Sequence, residues 1–206
     1  MSHGSATPLE VVASRYVFDG RVFRVRVDEV RMSDGRVATR DVIDHPGAVV
    51  IAAVDEGGRV ALVRQYRHAV GGELLELPAG TMEPDEPPAE TAMRELREET
   101  GLAAADWASL GSFYSSPGFL HEELHAFLAT GLTWGAQAFD DDEDIAVEWL
   151  PLTALLDDPG RVHDAKTLAT LLLVARYHAR STGRDTRRPA DDAAMDGGND
   201  PLGGPR

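Results

Sequence analysis

Along the first half of the chain, apolar and polar residues alternate, and the alternation breaks at glycine-bearing turns. Residues 15–32 (RYVFDGRVFRVRVDEVRM) alternate on either side of Asp19-Gly20, the pattern of a β-hairpin. SDGRVATRDVI repeats it at Asp34-Gly35, and VVIAAVDEGGRVALVRQYR again around Glu56 to Gly58. His45-Pro46-Gly47 reads as a joint, with a denser apolar core starting at Ala48. The pattern therefore predicts an N-terminal β extension over residues 1–46 and a core domain over 47–180. From Ser181 the chain turns polar, Pro/Gly-rich and aperiodic, so 181–206 reads as a flexible tail.

The second half changes period. LLELPAG is a short apolar strand stopped by Pro78. Pro87 and Pro88 stand where a helix can begin, because a first-turn proline loses no hydrogen bond. Ala89 to Thr100 holds good helix formers, and Gly101 suits the left-handed residue that closes a helix. ASLGSFYSS, ELHAFLATGL and VEWLPL read as further strands, and Ala165 to Ala179 as a last helix. Strands flanked by an early and a late helix predict one α/β domain, a mixed sheet between helices.

Charge sharpens the reading of the first helix. Between Gly80 and Leu102 lie seven carboxylates (Glu83, Asp85, Glu86, Glu90, Glu95, Glu98, Glu99) and two arginines. At 3.6 residues per turn, Ala89, Ala92, Met93, Leu96 and Thr100 gather on one face, the expected buried one. Glu95, Glu98 and Glu99 are spaced i, i+3, i+4 and share a patch beside it. Arg94 and Arg97 fall off that patch, and Glu90 precedes Arg94 by four, a favourable pair. Each like-charged pair costs about 0.2–0.5 kcal/mol on an exposed helix. The patch is therefore either a solvated acidic face or a site for a hard divalent cation such as Mg²⁺ or Mn²⁺, which prefers oxygen ligands.

The whole chain carries a net charge of −15 and no basic cluster interleaved with aromatics, so a nucleic-acid partner is not expected. No apolar run approaches the roughly 20 residues that cross a bilayer, so no membrane association is expected. There is no cysteine, which excludes disulfides and thiolate metal sites. With no export signal, the cytoplasm is the expected location.

The 23-residue stretch resembles the signature of the Nudix hydrolases. Gly80, Glu86, Arg94, Glu95, Leu96, Glu98, Glu99, Gly101 and Leu102 stand at the signature's positions with the correct gaps. The resemblance implies an α/β/α sandwich and Mg²⁺-dependent hydrolysis of a nucleoside diphosphate linked to another group. It implies Glu95, Glu98 and Glu99 as metal ligands, joined by the backbone carbonyl of Ala79, with Glu98 also a catalytic candidate. It implies that Arg94 orients a neighbouring glutamate and that Glu86 steadies the loop.

Features outside the signature resemble the ADP-ribose pyrophosphatase group of that family. In SSPGF, Pro117 stands sixteen residues past Gly101. VRQYRHAVGGELLELPAG resembles the group's segment before the signature, where an arginine, Arg64 or Arg67, would grip phosphate. DDDEDI (residues 140–145) resembles an acidic loop supplying a catalytic glutamate, here Glu143, which either accepts the proton of the attacking water or orients it. Glu122, just after SSPGF, would contact the terminal ribose or a metal shell, and Phe23 would lie near the base. GRVHDAKTLATLLL resembles the start of the group's last helix.

The resemblance thus implies cleavage of ADP-ribose to AMP and ribose 5-phosphate by a homodimer whose N-terminal hairpins exchange between subunits. The alternatives are another nucleotide sugar, such as GDP-mannose or ADP-glucose, an oxidised nucleotide, or a module that senses ADP-ribose or NAD without cleaving it. Retention of every signature glutamate argues against the last.

Overall fold

The computed structural model describes residues 9–135 and 146–185, with eleven strands and three α-helices among them. Three strands come first: β1 (Glu10–Asp19), β2 (Arg24–Arg31) and β3 (Val37–Asp44). They form an antiparallel meander turning at Asp19-Gly20 and at Asp34-Gly35, as the alternation predicts. Gly35 has φ 84°, a left-handed value that costs an L-residue but not glycine. The short β9 (Leu120–His121) adds to β3 in parallel and ties this sheet to the core.

The core is built on β4 (Ala48–Ala53). Its sequence, AVVIAA, is wholly buried, as expected for a strand covered on both faces. It lies between β7 (Ala79–Thr81), antiparallel, and β10 (Glu123–Trp134), parallel, and β10 in turn pairs antiparallel with β8 (Leu102–Tyr114). A second sheet orders β11 (Ala146–Pro151), β5 (Arg59–Arg67) and β6 (Gly72–Glu76).

Strand alternation splits the core in two. Val49, Ile51, Ala53, Phe127 and Ala129 pack with Ala92 and Leu96 of helix α1 (Pro88–Thr100). Val50, Ala52, Ala126 and Leu128 pack with Leu171 and Val174 of helix α3 (Ala165–Asp185), and with Leu155 of the short α2 (Leu152–Asp157). The fold is α/β, with the mixed sheet layered between α1 and α3. Each fully buried Leu, Ile or Val contributes about 1.5–3 kcal/mol to the transfer from water.

Three expectations are corrected. The turn at Asp55–Arg59 forms, closed by Asp55 N–H donating to Arg59 O at 2.9 Å and Gly58 N–H to Asp55 O at 3.0 Å. The hairpin expected around it does not, because pairing stops after one Val54–Val60 bridge. A strand as apolar as β4 must be flanked and covered on all sides, and β7 and β10 supply that, sending β5 to its own sheet. Second, β8 begins at Leu102, directly after the helix-closing Gly101 (φ 71°), rather than at Ala108. Third, α1 is rolled toward its carboxylates. Met93 is 49% exposed and Ala89 is exposed, while Thr91 and Glu99 are buried in their place.

Candidate active site

The roll of α1 has a local cause in β7. Gly80 offers a bare backbone, and the Glu95 carboxylate fills the space where a side chain would stand. A Cβ at Gly80 would lie 1.8 Å from Glu95 Cδ. One residue earlier, Ala79 N–H donates to Glu99 Oε2 at 3.0 Å. Glu99 is only 5% exposed, and burial of an ionised carboxylate demands such partners.

Arg94 does not fall off the patch as the wheel predicts. Its Nη1 donates to Glu95 Oε1 at 2.8 Å and to Glu98 Oε2 at 2.9 Å. Its Nε and Nη2 reach Glu86 at 3.0 and 2.9 Å, so Arg94 turns to Glu86 rather than to Glu90. This guanidinium holds the Glu86 carboxyl down at about 2. Glu86 Oε2 also accepts from Glu83 N–H at 3.3 Å, closing the loop before the helix. One arginine thus faces Glu86, Glu95 and Glu98, with Glu99 alongside, and carboxylates remain in excess.

Beside the patch lies a cavity of about 340 Å³. Its walls include Arg67 of β5, Ala79 and Gly80 of β7, Glu122, and Asp164 and Lys166 at the start of α3. The strand that seats Glu95 and Glu99 is therefore a wall of the cavity. Glu122 is held from two sides: Ser115 Oγ donates to its Oε2 at 2.5 Å, and His45 Nε2 lies 3.9 Å from its Oε1. The His45 ring is fixed by Gly47 N–H donating to Nδ1 at 3.1 Å.

The remaining candidates scatter. Arg64 leans the other way on β5 and pairs with Glu148 of β11 at 2.6 Å. Pro117 is exposed at the tip of the turn between Ser115 and Glu122. Phe23 sits in the turn before β2, not in the strand. It lines a second cavity of about 320 Å³ with Arg24, Asp44 and His45, its ring 5.8 Å from that of Phe18. Glu143 lies outside the described residues.

Three residues with no expected role stand at the centre: Glu76, Lys166 and Asp164. Glu76 is 1% exposed. Arg67 grips it through Nε (2.9 Å) and Nη2 (2.7 Å), and Lys166 Nζ donates to it as well. Burial pushes the Glu76 carboxyl up, but Arg67 and Lys166 outweigh burial and bring it to about 2. The same bond to Glu76 raises Arg67, and the charges of Glu99 and Asp164 add to it. A lone glutamate inside the apolar run LLELP was the available signal, since a buried carboxylate requires partners. Asp164 was legible too: it caps α3, accepting from Thr167 N–H at 2.9 Å.

Among the described residues, no three or more His, Cys, Asp or Glu groups converge as a closed metal cage, Arg94 being threaded between Glu95 and Glu98. The donors themselves are all oxygen and partly buried, with negative charge in excess, which suits a hard divalent cation. Among the described residues no helix is long and apolar enough to cross a membrane.

Known proteins extend this picture. Residues 44–171 match the NUDIX domain, and residues 10–43 match the nucleoside diphosphate sugar hydrolase N-terminal domain. The chain is 38% identical to the ADP-ribose pyrophosphatase of Mycobacterium tuberculosis, covering 91% of each. It is 38% identical to that of Bacillus subtilis, over 77% of this chain and 88% of the relative. A GDP-mannose pyrophosphatase of Citrobacter koseri is 35% identical over 69% of this chain and 78% of that protein. A crystal structure described as an ADP compounds hydrolase shares the fold, with a TM-score of 0.75, 24% identity, and coverage of 88% of this chain and all of that one. Enzymes of this kind generally act with a divalent metal ion. A signature helix rolled to present its glutamates beside a cavity that Arg67, Glu122, Asp164 and Lys166 help to line agrees with these matches, and the chain belongs to the Nudix hydrolase family.

Proposed function

We propose that the chain hydrolyses the pyrophosphate of ADP-ribose to AMP and ribose 5-phosphate, with Mg²⁺ as its metal and Mn²⁺ able to replace it. The observation that carries this reading is the shared strand: Ala79 and Gly80 both seat Glu99 and Glu95 and line the cavity. The similarity to two ADP-ribose pyrophosphatases over most of the chain supports the substrate.

Glu95, Glu98 and Glu99, with the Ala79 carbonyl, would hold the metal. Such an ion would supply positive charge to offset that of the phosphates and would favour ionisation of the attacking water. Arg67, on the cavity wall, binds a phosphate of the substrate and fixes the anhydride. Glu122, oriented by Ser115 and His45, accepts hydrogen bonds from the terminal ribose. Water adds to one phosphorus as the P–O bond of the anhydride breaks, and the departing phosphate keeps the bridging oxygen. Glu98 or Glu143 takes the proton of that water. Arg94 orients Glu95 and Glu98 without touching substrate. Arg64 and Pro117, set away from the cavity, shape it only indirectly.

The division into an N-terminal extension (1–46), a catalytic domain (47–180) and a tail (181–206) belongs to the same reading, with the correction that α3 runs on to Asp185, five residues into the expected tail. So does a cytoplasmic homodimer. All ten residues of the edge strand β1 are exposed, including Val11, Val12, Tyr16, Val17 and Phe18. An apolar strand edge of this length calls for a partner, and the Phe23 cavity would then lie close to a second subunit.

The test is a panel of ADP-ribose, ADP-glucose, GDP-mannose and 8-oxo-dGDP, with and without Mg²⁺, the products separated by chromatography. AMP and ribose 5-phosphate formed fastest from ADP-ribose is the expected result. Faster turnover of GDP-mannose would overturn the substrate. Light scattering of the eluting protein reads the dimer.

A further inference from the structure

We infer that Lys166 binds substrate phosphate beside Arg67 and that Glu76 is the positioning residue: Glu76 draws Arg67 and Lys166 together on the cavity wall, so that two cations from separate elements meet one anionic group. This rests on the proposed cleavage of a nucleoside diphosphate and names how its phosphates are recognised.

Glu76 is a poor choice for stability alone, because a buried ion pair is often no better than apolar residues of similar volume. Its partners explain it. Arg67 comes from the end of β5 and Lys166 from the first turn of α3, and both line the cavity. A guanidinium has five N–H donors, and Arg67 spends two on Glu76. The others are held in one plane and one direction instead of sweeping on a flexible stem, which lowers the entropy lost on binding. The Lys166 ammonium, 17% exposed, touches Glu76 and lies 3.1 Å from Asp164. It shares Glu76 Oε2 with Arg67.

The anchor is braced independently. Leu77 N–H donates to Thr167 Oγ1 at 2.8 Å, and that hydroxyl donates to Asp164 at 2.6 Å. The segment DAKT thereby locks the start of α3 to the strand that runs on to Ala79 and Gly80. Cations and acidic patch are thus held in one register, which a substrate spanning both requires.

The test uses the full chain and the variants Lys166→Met, Lys166→Arg, Glu76→Gln and the double variant Lys166→Met/Glu76→Gln. KM and kcat are measured on ADP-ribose at saturating Mg²⁺, and the affinity for ADP by calorimetry. Lys166→Met should raise KM roughly 10- to 100-fold, the effect of a lost bond to a charged group. ADP binding should weaken by a similar factor, with kcat within about threefold and recovery in Lys166→Arg. The double variant should be little worse than either single one. A Lys166→Met protein that melts lower but keeps its KM and ADP affinity would overturn the inference, as would failure of Lys166→Arg to recover. Should Glu76→Gln fail to fold, the Lys166 pair decides. If the wild type prefers GDP-mannose, the substrate assignment fails alone, and the same variants are read on GDP-mannose and GDP.

Discussion

Two charged clusters, one on α1 and one joining β5, β6 and the start of α3, are balanced differently. On α1, Glu86, Glu95, Glu98 and Glu99 are served mainly by Arg94. In the other, Glu76 and Asp164 are matched by Arg67 and Lys166. The second cluster is closed: each carboxylate has a cation and the sum is neutral. The first carries surplus negative charge that is only partly solvated, and adding a cation there lowers the energy. The neutral cluster holds its cations in place for a substrate anion, whereas the acidic one suits a hard cation.

The contrast breaks most sharply at Glu99. Glu99→Gln should cut Mg²⁺-dependent kcat by about a thousandfold. Because the change removes repulsion, the melting temperature should hold or rise by about 2 °C. A steady-state assay and a thermal melt on one preparation check both, and near wild-type turnover would remove Glu99 from the ligand set. Gly80→Ala is next. Its methyl group must displace the Glu95 carboxylate, and kcat should fall about a hundredfold.

Glu76→Gln should do the reverse of Glu99→Gln and destabilise the fold by about 3–5 kcal/mol, leaving two cations without their anion. Urea titration measures it. Acid should erase the difference. The folded carboxyl, at about 2, lies below its unfolded value of 4.5. The folded state is therefore favoured fully above about pH 4.5, and the advantage of about 3 kcal/mol is lost as pH falls toward 2. If the wild type and Glu76→Gln keep the same gap at pH 2.5 as at pH 7, the ionised pair is not what holds this cluster. The smallest effect belongs to the exposed pair Arg36–Asp34, 2.7 Å apart. Arg36→Ala should leave the urea midpoint indistinguishable from that of the wild type, a baseline for the other variants.

Much of the fold was legible locally. Asp19-Gly20 and Asp34-Gly35 turn where their chemistry demands, and Pro88 and Gly101 bound α1. The hairpin at Glu56 to Gly58 misled because a good turn says nothing about which strands later pair. The roll of α1 misled because the wheel ranks residues by hydrophobicity alone. Met93 lost its place to Glu99, which the Ala79 N–H and the space over Gly80 draw inward. Arg67 could not be separated from Arg64 until β5 was placed, since the two point to different neighbours only in three dimensions.

By itself the sequence determined the N-terminal turns, the proline and glycine bounds of α1, and the spacing that puts Glu95, Glu98 and Glu99 on one helical flank. These are matters of backbone conformation and helical period, set within a few residues. Only the tertiary structure decided that Arg94 lies across that flank, that Glu76 joins Arg67 to Lys166, and that one strand both seats the patch and lines the cavity. Those contacts join residues as far apart as 90 positions, and their energies depend on burial, which no local pattern contains.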